Sequence, residues 1–400
     1  MTSRFLTLAG LLALGACNTP QAPAPAAEPP PAPEPPALQK VSIGASPVLS
    51  SAGIFIAIER GYFAEEGIEA DTTTFASSGA ELLPSLVKGD LDVGGGNISA
   101  GLYNAFNDGH GLRIVADKGT VMADCGYLAL IAATQHVPDG DVSKFEIKKG
   151  FKMGTTAPGV SQEIATERWA QHYGLTLDDI EIVHLPYSGF LPALANGGLD
   201  ATVQIEPHVA KAVAEGIAVR IAGDELVYED QQSAAIFFSE KFISERPELA
   251  QAWMKAYVRG LRDYNDAFFH DHQRAEVIEL LTKWTSVKQV ELYDQMVPVG
   301  LKPDGGLFVE SLAADAQWLT DHGYVKAPVD MSLIVDTSFI EKANQDLGPY
   351  IPPRTVEPVA APQEAPTPKR VVNPGGMRPG AGKPGMGPHQ GKGKKVKKGQ

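Results

Sequence analysis

Hydroxyl-bearing and glycine residues gather at four places in this chain, each where a short β-branched run gives way to a helical one. Ser46 and Pro47 through Ser50 and Ser51 follow the first run, and Ser77, Ser78 and Gly79 precede a helical stretch. Gly94-Gly95-Gly96-Asn97 closes another run with Ser99 just beyond, and Thr155-Thr156 leads into Gly159-Val160-Ser161. Free N–H groups at helix starts, together with hydroxyls, suit an anionic or hydrogen-bonding ligand. The same residue types cap helices in any protein, so each one taken alone also reads as a cap. Tyr187 follows a run at 180–185, where it could set an aromatic wall against a ligand. Glu206 could accept hydrogen bonds from a ligand amine or heterocycle, or cap the helix that Pro207 opens. Glu206 in a cleft would favour an amine-bearing solute. The lack of an arginine cluster nearby points away from a bare sulfonate or nitrate. Phe237 and Phe238 read either as a second aromatic wall or as core.

Reactive chemistry finds little support. Cys125 has no evident activating base. His270-Asp271-His272 holds metal-ligating types, but i, i+2 spacing at a helix end splays them apart, and the segment reads as a solvated turn. No H-E-x-x-H, G-x-S-x-G or G-x-x-x-x-G-K-[ST] is present. The sequence therefore predicts no catalytic residue, no metal and no cofactor.

Positioning these residues falls to alternating short strands and amphipathic helices between Val41 and Tyr350, the pattern of α/β architecture. Strands are expected at 41–45, 68–75, 91–94, 127–132, 151–155, 180–185, 201–205 and 232–239. Helices are expected at 53–60, 79–88, 160–173, 187–196, 207–215, 247–270, 273–284 and 307–322. An internal echo stands out. Gly89-Asp-Leu91-Asp92 is followed by Arg113-Ile114, and Gly197-Gly-Leu199-Asp200 by Arg220-Ile221. The period is far too long for a solenoid. It predicts two similar lobes with a ligand cleft between them, lobe 1 comprising 41–132 and 233–350 and lobe 2 comprising 133–232.

The ends account for an unusual composition. Of the 400 residues, 41 are glycine and 31 proline, too many for the body alone. Arg4 and the apolar run Phe5–Ala16 describe an export signal too short to span a bilayer. Leu14-Gly15-Ala16-Cys17 is similar to a bacterial lipobox, which makes 1–17 a lipoprotein signal and Cys17 the lipidated first residue. Residues 18–40 form a Pro/Ala-rich linker that is extended and cannot bury a core. Residues 351–400 form a Pro/Gly-rich tail with nine Lys/Arg and no acid from Pro368 onward, leaving 25 basic against 48 acidic residues in the rest. Such a segment can meet anionic lipid or stay solvated. It carries no aromatics for nucleic acid.

Gly61-Tyr62-Phe63-Ala-Glu-Glu-Gly67-Ile68 resembles the GYF-x-x-E-G segment of substrate-binding proteins of ABC importers, in the branch handling thiamine-pyrimidine precursors, sulfonates, taurine and nitrate. Gly89-Asp-Leu-Asp-Val93, Gly154-Thr-Thr-Ala-Pro-Gly159-Val160-Ser161 and Gln204-Ile-Glu206-Pro207 resemble further segments of that family, in family order, over roughly 41–340. The resemblance implies a two-lobed periplasmic-binding-protein-like fold of the second type with two hinge-crossing strands. It places Ser46, Ser50, Ser51, Ser78, Gly79, Asn97, Thr156, Gly159, Val160, Ser161, Tyr187, Gln204 and Glu206 around a cleft. It further implies a monomeric receptor, lipid-anchored on the periplasmic face of the inner or outer membrane, that delivers a small organic solute to an ABC permease. The alternatives are a cell-envelope sensor or scaffold, and a thiamine-pyrimidine-synthase-like enzyme, whose cysteine-rich metal motif this chain lacks.

Overall fold

The computed structural model describes residues 37–353 apart from 77, 78 and 124. The expectations for Cys17, the signal segment, Ser78 and almost all of the linker and tail lie outside these residues. Ten strands stand among the described residues: β1 (Gln39–Ala45), β2 (Ile68–Thr74), β3 (Val93–Asn97), β4 (Arg113–Thr120), β5 (Ala129–Ala133), β6 (Lys152–Thr155), β7 (Glu181–His184), β8 (Ala201–Gln204), β9 (Ala218–Gly223) and β10 (Gln232–Phe238). They form two five-stranded sheets, ordered β2-β1-β3-β10-β4 and β7-β6-β8-β5-β9. The two orders match position by position. β1 runs parallel to β2 and β3, while β10 runs antiparallel to β3 and β4. The second sheet repeats this, with β5 as the antiparallel strand between β8 and β9.

The internal echo has a structural cause. Asp92 stands at the entry to β3, where its carboxylate accepts from the Ser42 N–H at 2.9 Å while its own N–H donates to the Ser42 carbonyl at 3.0 Å. Asp200, at the entry to β8, does the same with Lys152, both bonds at 2.9 Å. Leu91 and Leu199 each press on a glycine of the neighbouring strand, so that a Cβ on Gly44 or Gly154 would lie 2.8 Å from a leucine methyl. Leu-Asp thus registers the third strand of each lobe on its first. Arg246 on Asp92 and His136 on Asp200 (2.8 Å) complete the two sites.

The chain passes between lobes twice, after Thr120 and after Gly223. Val121 N–H donates to the Gln231 carbonyl at 2.9 Å and Asp230 N–H to the Val121 carbonyl at 3.0 Å, tying one crossing to the other. Asp224 makes a second tie through Leu128, whose N–H it accepts at 3.1 Å. The expected lobe boundary after Ala132 needs correction. All of β5 pairs in the second sheet, so the first crossing comes before Ala129. The return crossing likewise ends at Gln232, which pairs with Thr120 in the first sheet. An apolar run such as Tyr127–Ala132 announces a buried strand but not the sheet that receives it.

Most expected elements stand within a residue or two of their places, with two differences. The helix expected at 79–88 is a 3₁₀ turn, Ala80–Leu82, followed by Leu83–Lys88 with Pro84 in its first turn. The strand read from Leu91 begins at Val93, because Leu91 and Asp92 are spent on registration. Helix Pro247–His270 packs lobe 1 through Trp253, Tyr257, Leu261 and Tyr264, all fully buried. Phe238 meets Phe242, Trp253 and Phe339 at ring distances of 5.3, 5.5 and 5.3 Å, which makes it core. None of the described helices is long and apolar enough to cross a membrane.

Candidate binding site between two lobes

The carboxyl ends of β1, β3 and β4 face those of β6 and β8, where loops and helix starts from both lobes converge. The lobes meet there through their backbones. Ser99 and Val160 form an antiparallel bridge, with Ala100 N–H donating to the Gly159 carbonyl at 2.7 Å and Ser161 N–H to the Ile98 carbonyl at 2.9 Å. Gly159 holds φ +64, a left-handed conformation that glycine adopts without strain. Ser161 Oγ continues the contact by donating to the Ser233 carbonyl of β10 at 2.7 Å. Gly159, Val160 and Ser161 are therefore the lobe-to-lobe seam.

Behind the seam lies a chain of side chains. Lys118, near the end of β4, is 1 % exposed. Its stem crosses β10 to lie on β3, where a Cβ on Gly95 would come within 2.9 Å of both Cδ and Cε. The Lys118 ammonium donates to Ser50 Oγ at 2.9 Å, and Ser50 Oγ stands 3.5 Å from Tyr127 OH. Tyr127 OH donates to Asn97 Oδ1 at 2.9 Å, and Asn97 Nδ2 donates to Tyr187 OH at 3.2 Å. With the tyrosine proton committed to Asn97, the Ser50 proton points to Tyr127. Donors then run one way, from Lys118 in lobe 1 through Ser50, Tyr127 and Asn97 to Tyr187 in lobe 2. Each bond in such a chain polarises the next.

Lys118 is the basic end of this chain of side chains, while buried Asp224 acts on Tyr127 and Tyr187. Lys118 has Ser50 as its bonded partner, and burial pulls its amine down to about 7, only partly opposed by neighbouring Asp117. Asp117 points away, accepting from Gly119 N–H, Thr120 Oγ1, Gln232 Nε2 and Lys302 N–H at 2.6–2.8 Å. Burial holds the Tyr127 and Tyr187 hydroxyls far above their ordinary range. An ammonium in such surroundings is costly unless a counter-charge joins it.

The remaining expected residues sit around this centre. Ser51 Oγ donates to the Ser46 carbonyl at 2.9 Å, shaping the turn that presents Ser50. Gly79 rests on β3, since a Cβ there would lie 2.7 Å from Gly96 Cα. Thr156 N–H is bonded to Gln162 Oε1 at 2.7 Å, while its buried Oγ1 has no partner among the described residues. Gln204 donates to the Tyr187 carbonyl at 3.0 Å and so fixes the loop carrying that tyrosine. Glu206 accepts from Ala210 N–H at 3.0 Å and from Val297 N–H, across the lobes, at 3.4 Å. It works here as a helix cap and a lobe tie, and burial raises its carboxyl to about 7. Lys118 and Tyr127 escaped the sequence reading. A lysine beside an aspartate after the apolar run Ile114-Val-Ala116, and the glycines at 95 and 119, were the available signals. A Cβ on Gly119 would strike the Tyr127 ring at 2.1 Å.

A family model described as NMT1-like matches residues 34–282, more than half of the chain. The chain belongs to the NMT1-like family. A search of curated proteins finds no match. Among solved structures, the ligand-binding component of an ABC-type import system from Staphylococcus aureus, solved with zinc bound, is similar at TM-score 0.65 and 13% identity, over 76% of this chain and 99% of that one. The nitrate-binding protein NrtA of Synechocystis gives 0.64 and 14%, over 78% and 89%. The alkanesulfonate-binding protein SsuA of Xanthomonas axonopodis pv. citri, bound to MOPS, gives 0.60 and 17%, over 76% and 100%. These likenesses establish the two-lobed periplasmic-binding-protein fold for this NMT1-like chain.

Proposed function

We propose that this NMT1-like protein is an extracytoplasmic receptor that closes its lobes on a small organic acid and delivers it to an ABC importer. The observation that carries this reading is Lys118, a buried amine at the lobe junction whose bonded partner is a neutral hydroxyl. A carboxylate, sulfonate or phosphate brought between the lobes would supply a directly bonded counter-charge. The Tyr187 hydroxyl at the end of the donor chain would offer its proton, and Ser50, Tyr127 and Asn97 would turn theirs from one another to the acid's other oxygens. Glu206, whose oxygens already serve Ala210 and Val297, gives no support to an amine-bearing solute. Alkanesulfonate, for which one structural neighbour is named, is an organic acid of this kind, and nitrate, for which another is named, shares its negative charge. The similar binding components of ABC importers support a receptor over an enzyme. Anchoring through Cys17 would keep the receptor beside its permease, with residues 18–36 as the tether.

The test is calorimetric. Short alkanesulfonates, alkyl carboxylates and alkyl phosphates are titrated against wild type, alongside the corresponding neutral amides. Acids are expected to bind and amides not, with Lys118→Met weakening the acids by at least about 100-fold, the scale of losing one partner of a buried charge pair. Equal binding of amides, or acid binding untouched by Lys118→Met, would overturn the acid assignment.

A further inference from the structure

The lobes also meet away from the candidate site, where helix Ser161–His172 of lobe 2 faces helix Val309–Asp321 of lobe 1 and the loop after it. Glu163 and Glu167 are the acids presented by lobe 2. Tyr324 OH donates to Glu163 Oε1 at 2.8 Å, and Trp318 Nε1 donates to Glu167 Oε2. His322 stacks on Trp318 with ring centroids 3.9 Å apart, and its Nε2 stands 3.5 Å from Glu167 Oε1. Its other nitrogen, Nδ1, lies 2.9 Å from the Trp318 carbonyl. A carbonyl only accepts, so Nδ1 carries the proton. A neutral imidazole has one N–H, and Nε2 then turns a lone pair towards a carboxylate. Protonation replaces that repulsion with an N–H···O⁻ contact between the lobes.

We propose that proton uptake by His322 tightens lobe closure, making this interlobe contact a pH-sensitive latch. Other charged groups nearby do not compete for the role. Asp321 accepts from Gln317 at 2.8 Å on the same helix, and Arg168 turns to Gln171 and the Tyr228 ring. Histidine changes charge between about pH 5 and 8. The imidazolium donates to Glu167 and the neutral ring cannot, so acid tightens the contact and base loosens it. The latch lies outside the Lys118 chain and acts whatever the solute.

Hydrogen exchange of the Ala100 and Ser161 amides in the full chain reads the latch directly. Each donates across the lobes, so exchange requires the lobes to part. After correction for the intrinsic pH dependence of exchange, their protection in wild type is expected to fall about two- to fivefold more between pH 5.5 and 8 than in His322→Gln, the scale of a partly exposed ion pair. The difference between the two proteins isolates His322 from Lys118, Glu206, His208 and Asp315, which also lie at the lobe contact. His322→Lys, with a permanent charge, is expected to hold high protection across the range, and Glu167→Gln to abolish the wild-type excess. Superimposable profiles for wild type and His322→Gln overturn the proposal. So does an unchanged pH dependence in Glu167→Gln, which covers the case of a His322 variant that fails to fold. Neither outcome bears on whether the receptor takes an acid.

Discussion

Lys118 and Glu206 are both buried at the lobe contact and burden the fold in opposite pH ranges. An unfolded lysine titrates near ~10.4, and Lys118 titrates at about 7 in the folded chain. Between those values the unfolded state holds the extra proton, so folding loses stability as pH falls from ~10 to 7, and the loss is complete below 7. Lys118→Met is therefore expected to raise Tm by at least about 2–4 °C at pH 6, the equivalent of ~1 kcal/mol, with the gain vanishing towards pH 10. Glu206 runs the other way. Its folded value of about 7 exceeds the ordinary ~4.3, so its charge costs stability that is spared at pH 4 and lost in full above pH 7. Glu206→Gln should stabilise at pH 8 and have no effect at pH 4. Thermal unfolding across pH 4–10 measures both, and gains of the same pH sense would contradict the assigned environments.

Leu-Asp ahead of the third strand shows what one element asks of another. Asp92 is 7% exposed at its side chain, holds the Ser42 N–H and hydroxyl, and pairs with Arg246. Asp92→Ala leaves those donors without an acceptor and is expected to cost about 2–3 kcal/mol. Asp200→Ala, more open and paired with a histidine, should cost about 1–2 kcal/mol. Urea denaturation decides it, and two neutral substitutions would mean that Leu alone sets the register. This pair was legible in the sequence as an echo because local chemistry makes it. The strands, the helices and the hydroxyl-rich turns were legible for the same reason, since each depends on neighbours in the chain. Lys118 and Tyr127 were not, because their meaning comes from β10, a strand more than a hundred residues later in the chain, which sets the sheet across which the lysine stem must lie. Glu206 reads from the sequence as either cap or ligand, and the positions of Ala210 and Val297 favour the cap.

At the scale of the whole molecule, the receptor reading requires a body held at a membrane without spanning it. None of the described helices is long and apolar enough to cross a membrane, and the attachment proposed above is the lipid on Cys17. Cys17→Ser is expected to move the protein from the membrane fraction to the soluble periplasmic extract, checked by detergent-phase partitioning. Retention in the membrane fraction would transfer the anchoring role to another segment.

Strand order also dictates the sequence in which the lobes can be completed. Every strand of the second sheet lies within 129–223, whereas the first sheet keeps a gap between β3 and β4 that only β10 can fill. A chain emerging from its amino end therefore finishes its second lobe first. Until Phe238 arrives, the first lobe presents two open strand edges, the Gly-rich β3 and β4, with unpaired N–H and C=O groups that could template pairing with other chains. A protein of this topology depends during that interval on whatever holds nascent chains apart, and its vulnerability to aggregation is concentrated in the first half of its own length.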